Sequence, residues 1–305
     1  MPIRPLSTEL QEKAVKELNE EPGKQHDALE NIREWLKKQP HLNVREDDQT
    51  MVAFFRGCKW NLQRVKEKLD YFYSIKSFVP EFFDDRNPFS PAVQDALKAG
   101  CILPLRKEDD PAAPRTILIR MLKRATEHRV NDGFKLILMT FEILMNEDDN
   151  FIISGSKVLE DHKELSLKHI QMVTPTVIKD ALTFLKSAYP VKANSFHIIN
   201  APDLFAKAFD LVKPFISEKT VKKVYVHTDE SFDEVIPSSI LPMDYGGTGG
   251  KITDLIVEWK LKVESYPDWF MQDYEFRSDE SKRAKKPIPD GLFGLDGSFR
   301  NLDID

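Results

Sequence analysis

Asn200-Ala-Pro-Asp-Leu-Phe-Ala-Lys-Ala-Phe-Asp-Leu-Val-Lys-Pro-Phe-Ile216 sets its apolar side chains in adjacent pairs: Leu204 with Phe205, Ala208 with Phe209, Leu211 with Val212, Phe215 with Ile216. Pairs at that spacing fall on one broad stripe of a helix, leaving Lys207, Asp210 and Lys213 off it. In front of it, Ser195-Phe-His-Ile-Ile-Asn200 reads as a buried strand. Behind it, Ser217-Glu-Lys-Thr-Val-Lys-Lys-Val-Tyr-Val-His227 carries Lys219, Lys222 and Lys223 into a second strand-like run. Strand, oily helix and basic segment in that order fit a lid over an apolar cavity beside a patch that meets acidic headgroups. They also fit a helix packed on an ordinary core.

Working outward, a chain of 305 residues can bury a core as one large domain or two modest ones. Charged residues at 31% and hydrophobic residues at 41% describe a globular protein. No apolar run reaches the roughly 18 to 20 residues needed to span a bilayer, and Met1-Pro-Ile-Arg-Pro-Leu-Ser7 lacks the apolar core of a signal peptide, so a cytoplasmic location is expected. Cys58 and Cys101 give no disulfide framework and are expected to be reduced. A net charge of -6 argues against a general nucleic-acid binder, so any affinity for anions has to be local.

Toward the N-terminus, residues 7 to 20 are amphipathic, with Ser7 or Thr8 as cap and Leu10, Ala14, Val15 and Leu18 on one face. Further helices are predicted from His26 to Lys38, from Asp47 to Phe55 and from Leu62 to Phe78, which makes residues 1–78 a small helical domain. Residues 79–92, where prolines and aromatics alternate with acids, read as a linker. A second domain spans 93–270. It begins with a helix from Val93 to Ala99, a strand Arg115–Arg120, a helix from Val130 to Met145 and a strand opening at Phe151 and running to about Glu160. A helix from near Ser166 to a break at Pro175, another from Val177 to Ala188, and strands near 196–200 and 223–228 complete the order. That alternation predicts an α/β fold with a mainly parallel sheet and helical crossovers. A last helix is predicted from Ile252 to Val263. Residues 271–305 read as an extended tail pinned at Phe293 and Phe299.

Several chemical motifs fail on inspection. Gly246-Gly-Thr-Gly-Gly-Lys251 invites a phosphate-loop reading, but Tyr245 stands five before Gly250 and Ile252 stands where Ser or Thr must hold magnesium. No Gly-x-Ser-x-Gly elbow exists, and neither cysteine has a motif partner. The histidines are scattered without metal spacing, and His197 and His227 lie in strands, where satisfied structural imidazoles are expected. Lys282-Arg-Ala-Lys-Lys286 reads as a solvated tail or as a short import or membrane patch. Neither catalytic residues nor a metal site is expected.

Phe196-His-Ile-Ile-Asn-Ala-Pro202, then Val212-Lys-Pro-Phe215, Glu218-Lys219 and Ile240-Leu-Pro-Met-Asp-Tyr-Gly-Gly247, resemble the lipid-binding domain of the CRAL-TRIO (Sec14-like) family. The likeness is to the branch of alpha-tocopherol transfer and retinaldehyde-binding proteins, and its order and spacing cover most of the chain. This resemblance implies a non-enzymatic carrier without cofactor, enclosing one retinoid-, tocopherol- or terpenoid-type lipid between the sheet and a mobile gate helix. The alternatives it leaves behind that reading are a phospholipid or phosphatidylinositol exchanger and a regulatory lipid-sensing module. Carried over position by position, the gate is Ala201 to Ile216, with Phe205, Phe209 and Val212 toward the cavity. The walls would come from Phe134, Leu138, Phe141, Phe184, Leu185 and Phe196.

One strand departs from that family. Gly155-Ser-Lys-Val-Leu-Glu-Asp161 stands where tocopherol carriers have mostly apolar residues, and Ser156, Val158 and Glu160 share one strand face at positions that line the cavity in the resembled proteins. A buried carboxylate is costly without a partner. Glu160 and Ser156 are therefore expected at a polar end of the ligand, or else Glu160 pairs with Lys157 or another base at the strand end. Lys192, Lys219 and Lys223 fall where the tocopherol branch holds a phosphoinositide headgroup, and Lys222 adds charge. Asn194 replaces a second base there, and Phe54-Phe-Arg-Gly-Cys58, with Lys59 adjacent, stands for the family's Phe-Leu-Arg-Ala-Arg. The implied partners are a small hydrophobic ligand and phosphoinositide-containing membranes, with no nucleic acid.

Overall fold

Capping residues set the helix ends. In the computed structural model, which describes residues 2–123, 130–172, 184–228, 232 and 234–284, the Ser7 hydroxyl accepts from the Leu10 amide at 3.2 Å and starts α1 (Thr8–Leu18). Asp47 accepts from the Thr50 amide ahead of α3 (Asp48–Gly57), and Asn61 from the Arg64 amide ahead of α4 (Leu62–Phe78). With α2 (Gln25–Leu36) these are the four expected front helices. Residues 79–92 join the front helices to the sheet but are built into the core. Pro80–Phe83 forms a turn of helix (α5), and Val79, Phe82, Phe83 and Arg86 are all buried. The aromatics that punctuate the linker in sequence are packing groups: Phe82 meets Phe134 at 5.8 Å and Phe83 meets Phe184 edge-on at 6.0 Å.

After α6 (Pro91–Ala99), closed by Gly100 in the left-handed region, the chain lays down β1 (Ile102–Pro104) and β2 (Arg115–Arg120). Then come α7 (Val130–Glu147), α8 (Asp149–Ile153), β3 (Ser156–Asp161), α9 (Leu167–Met172), β4 (Ala193–Ile199), a helix Asp203–Val212 and β5 (Val224–Val226). The strands lie in the order β1-β2-β3-β4-β5, with β1 antiparallel to β2 and every other pair parallel, so the expected α/β fold is present. The three-residue β1 is too short to show a period and was not expected.

Phe151-Ile-Ile153 does not open a strand. Asp148 accepts from the Asn150 amide and turns the triplet into the helix α8, with Ile153 packed against Leu10, Ala14 and Leu18 of α1. A short apolar run carries no period that separates strand from helix. Gly155, at φ 81°, then makes the turn into β3; a Cβ there would stand 2.5 Å from the Lys192 carbonyl oxygen. The break at Pro175 and the first part of the helix expected from Val177 lie outside the described residues, and 184–188 are helical.

One cluster of buried apolar residues runs from Leu29 to Phe270, so the front helices and the sheet share a core. Inside it sits a network of charge. Lys76 and Arg86 reach Asp273 at 2.6 and 2.5 Å, Arg86 also bonds Glu142, and the Tyr189 hydroxyl donates to Glu142 at 3.2 Å. The tail expected to be extended from residue 271 is not: Met271 to Asp273 end the helix Pro267–Asp273, Glu280–Lys282 is a 3-10 turn capped by Asp279, and the segment is stapled to the front helices. The Ser278 amide donates to the Tyr73 carbonyl at 3.0 Å, the Asp279 amide to that of His41 at 2.7 Å, and Arg283 forks onto Asp70 at 2.8 and 2.9 Å. Phe293 and Phe299 lie outside the described residues.

Candidate functional site

Residues opposite one another in neighbouring parallel strands share a face. Val158 lies between Ile117 and Phe196, and Glu160 between Ile119 and Ile198, so these six make one patch with Ser156 at its end. The other face is covered by the segment after β5: the Tyr245 hydroxyl donates to Asp161 at 2.7 Å, and the Lys157 ammonium donates to the Val235 carbonyl at 3.1 Å.

His197 sits on that covered face with both ring nitrogens engaged, Nδ1 with His227 at 3.0 Å and Nε2 with the Ser195 hydroxyl at 2.8 Å. Burial, with His227 and Lys157 nearby, lowers its pKa to about 4. The unfolded chain takes up a proton near pH 6.5 that the folded one refuses until about pH 4, so stability falls as pH drops through that window. In urea titrations at pH 7, 5.5 and 4.5, wild type is expected to lose more stability than His197→Gln; parallel losses would refute this.

The helix Asp203–Val212 and the 3-10 turn Lys213–Phe215 occupy the expected gate. Leu204, Phe205, Ala208 and Phe209 on it are half-buried, and the Phe205 and Phe209 rings stack at 5.7 Å. Phe205 also meets His162 edge-on at 4.9 Å, and His162 Nε2 lies 3.0 Å from a Glu160 carboxylate oxygen. A continuous contact thus runs from the sheet face through Glu160 and His162 to the gate helix. Glu160 does not pair with Lys157, which bonds Glu108 and Val235. Its base is His162, two residues on and on the same side of the strand. Sequence reasoning set His162 aside as one of the scattered histidines; its parity with Glu160 was the signal that could have found it.

The structure places the other expected wall residues in the shared core. Leu138 is buried, Phe141 meets Phe151 at 5.5 Å and Tyr189 at 6.1 Å, and Phe184 meets Tyr189 at 5.5 Å. Phe134 and Leu185 are half-buried against the same cluster. The Val212 side chain lies outside the described residues. Ser156, Val158, Glu160 and Phe196 are the predicted pocket residues found on the sheet face, and Phe205, Phe209 and Val212 those on the gate helix.

Near one end of β4 the lysines gather. Lys223 donates to the Ala193 carbonyl at 2.6 Å, and burial together with the charges of Lys192 and Lys219 lowers its pKa, so the three ammonium groups share one field. Lys192, Lys219 and Lys222 are exposed. Asn194 donates to the Ser154 carbonyl at 2.8 Å across the irregularity between β3 and β4. Arg56 is turned inward onto Glu20 at 2.9 and 3.0 Å and Asp149 at 3.1 Å, a structural triad rather than a surface base. Among the described residues no cluster of three or more His, Cys, Asp or Glu could hold a metal, and no helix is long and apolar enough to cross a membrane.

Residues 101–247 match the CRAL/TRIO domain, and residues 21–93 the Pinta-like UBA domain. Alpha-tocopherol transfer protein-like from Homo sapiens is 26% identical over 293 residues, covering 94% of this chain and 84% of its own length. The Mus musculus protein of the same name is 27% identical over 306 residues, covering 97% and 88%. Clavesin-1 from Rattus norvegicus is 26% identical over 246 residues, covering 80% and 69%. The crystal structure of Sfh5 aligns at a TM-score of 0.47 and 14% identity over 82% of this chain and 89% of its own.

Proposed function

We propose that this chain, a CRAL/TRIO-domain protein by the match over its residues 101–247, is a non-catalytic carrier that encloses one retinoid-, tocopherol- or terpenoid-type lipid and exchanges it at phosphoinositide-bearing membranes. It works without a cofactor, in the cytoplasm, touching membranes peripherally. The observation that carries this reading is the stacked pair Phe205–Phe209, half-buried on a helix whose contact with the apolar sheet face runs through Glu160 and His162. Apolar enclosure supplies most of the affinity, at about 25 cal/mol per Å² buried, and a few polar groups orient the ligand. Glu160 and Ser156 are the polar groups on that face. The relatives named for alpha-tocopherol transfer support the ligand class.

Lys192, Lys219, Lys222 and Lys223 supply point charges for headgroup phosphates. Acidic headgroups at the lysines and acyl chains at Phe205 and Phe209 both favour a lifted gate helix, so docking and release are coupled. Equilibration with a cellular lipid extract, followed by native mass spectrometry, is expected to show one terpenoid-class lipid per chain. A bound phospholipid would favour the exchanger reading, and a protein that retains no lipid would overturn both. Lys219→Ala with Lys223→Ala is expected to weaken binding to phosphoinositide vesicles about 30-fold at low salt, at about 1 kcal/mol per lysine, with the gap closing as salt rises. Equal binding at low salt would defeat the membrane part of the reading.

A further inference from the structure

His162 is buried, and its two ring nitrogens are in different states. Nε2 meets the Glu160 carboxylate at 3.0 Å, whereas Nδ1 is buried with no hydrogen-bond partner among the described residues. Among the described residues, no other histidine has a fully buried ring nitrogen without a partner. His169 uses Nδ1 on Ser166 and Nε2 on the Leu122 carbonyl, and His197 uses both of its nitrogens. A buried polar atom left alone carries a desolvation cost that native structures rarely leave uncompensated. The bare nitrogen belongs to the residue whose ring meets Phe205 of the gate helix at 4.9 Å.

The chemistry of the vacancy follows from its neighbour. A carboxylate only accepts, so Nε2 carries the hydrogen and the neutral ring offers Nδ1 as a lone-pair acceptor. A charged ring would instead leave a second N–H unpaired in an apolar surround, at higher cost. We propose that His162 Nδ1 accepts a hydrogen bond from a ligand hydroxyl, so that the carrier selects lipid alcohols and phenols over the matching aldehydes, esters and ethers. This rests on the carrier reading and narrows its ligand class. The phenol of a tocopherol or the alcohol of a retinol satisfies Nδ1; a retinaldehyde meets it lone pair to lone pair. Because the same ring touches Phe205, a seated hydroxyl also fixes the surface on which the gate helix rests.

The test uses the intact protein and four probes in two matched pairs, alpha-tocopherol with its methyl ether and retinol with its methyl ether. Each pair is offered at equal concentration, and the retained lipid is quantified by extraction and mass spectrometry. Wild type is expected to enrich the free hydroxyl about 10-fold over the ether of whichever skeleton it retains. His162→Phe keeps a ring for Phe205 and is expected to retain a similar total with the ratio near one. His162→Gln, whose amide oxygen can accept, is expected to restore part of the preference. A wild-type ratio near one, or a ratio unchanged in His162→Phe, would overturn the assignment. Should wild type retain none of the four, the carrier reading fails and this inference with it.

Discussion

Asp273→Ala is expected to destabilise the protein by roughly 3 to 5 kcal/mol, the range seen when one partner of a buried ion pair is removed. Asp273 is 3% exposed and holds Lys76 at 2.6 Å and Arg86 at 2.5 Å, with Arg45 at 3.7 Å. Without it, Glu142 alone faces the Lys76 and Arg86 charges, both of which lie in the core. Set against the usual stability of about 5 to 15 kcal/mol, that loss brings the chain close to unfolding. Burial by itself would raise the Asp273 carboxyl, but the charges of Lys76 and Arg86 and their bonds to it outweigh burial and hold it below the ordinary carboxylate range. A depressed carboxyl contributes stability above about pH 4, the unfolded value, and that contribution is lost as pH falls below it. Urea midpoints should therefore show a large gap between wild type and Asp273→Ala at pH 7 that narrows in acid. A gap under about 1 kcal/mol at neutral pH would show that the network is dispensable.

Gly57→Ala is expected to cost about 3 kcal/mol, although alanine is favoured over glycine inside a helix by about 1 kcal/mol. A Cβ at Gly57 would stand 2.1 Å from the Pro190 carbonyl oxygen and 2.6 Å from its carbon, both backbone atoms with no flexible end to move aside. The last turn of α3 is in effect seated on the chain that leads into β4. Gly23, with no atom within 4 Å of its would-be Cβ, is the control, and Gly23→Ala should be near neutral in the same thermal melts. If the two substitutions shift the melting temperature alike, the close approach at Pro190 is not limiting.

Both effects depend on contacts between residues far apart in the chain, and these mark the limit of what the sequence discloses. The periodic helices and the αβ alternation were legible because each is written in spacing over a dozen residues. The Ser7 cap was legible because its chemistry is local. Phe82, Phe83 and Arg86 read as parts of a linker because nothing in their own neighbourhood announces Phe134, Phe184 and Glu142 as partners. The candidate site divides the same way. Glu160 could be placed on a face from strand parity alone, whereas its pairing with His162 and the contact of that ring with Phe205 require the gate helix to be folded back over β3. Phe141 and Phe184 show the converse: an apolar side chain on a helix stripe looks the same from sequence whether it meets a ligand or Tyr189.

The stapling of the C-terminal strap has a consequence for how the molecule is made. Lys76 leaves the ribosome 197 residues before Asp273 does, an interval of roughly 10 to 40 s at 5 to 20 residues per second. Throughout that interval the nascent front helices lack the carboxylate that neutralises their inner charges, along with the Ser278 and Arg283 bonds that clasp α4. The N-terminal unit therefore emerges first but reaches its finished state only once the segment carrying Asp273, Ser278 and Arg283 has followed it, and vectorial synthesis leaves it exposed to chaperones for that interval.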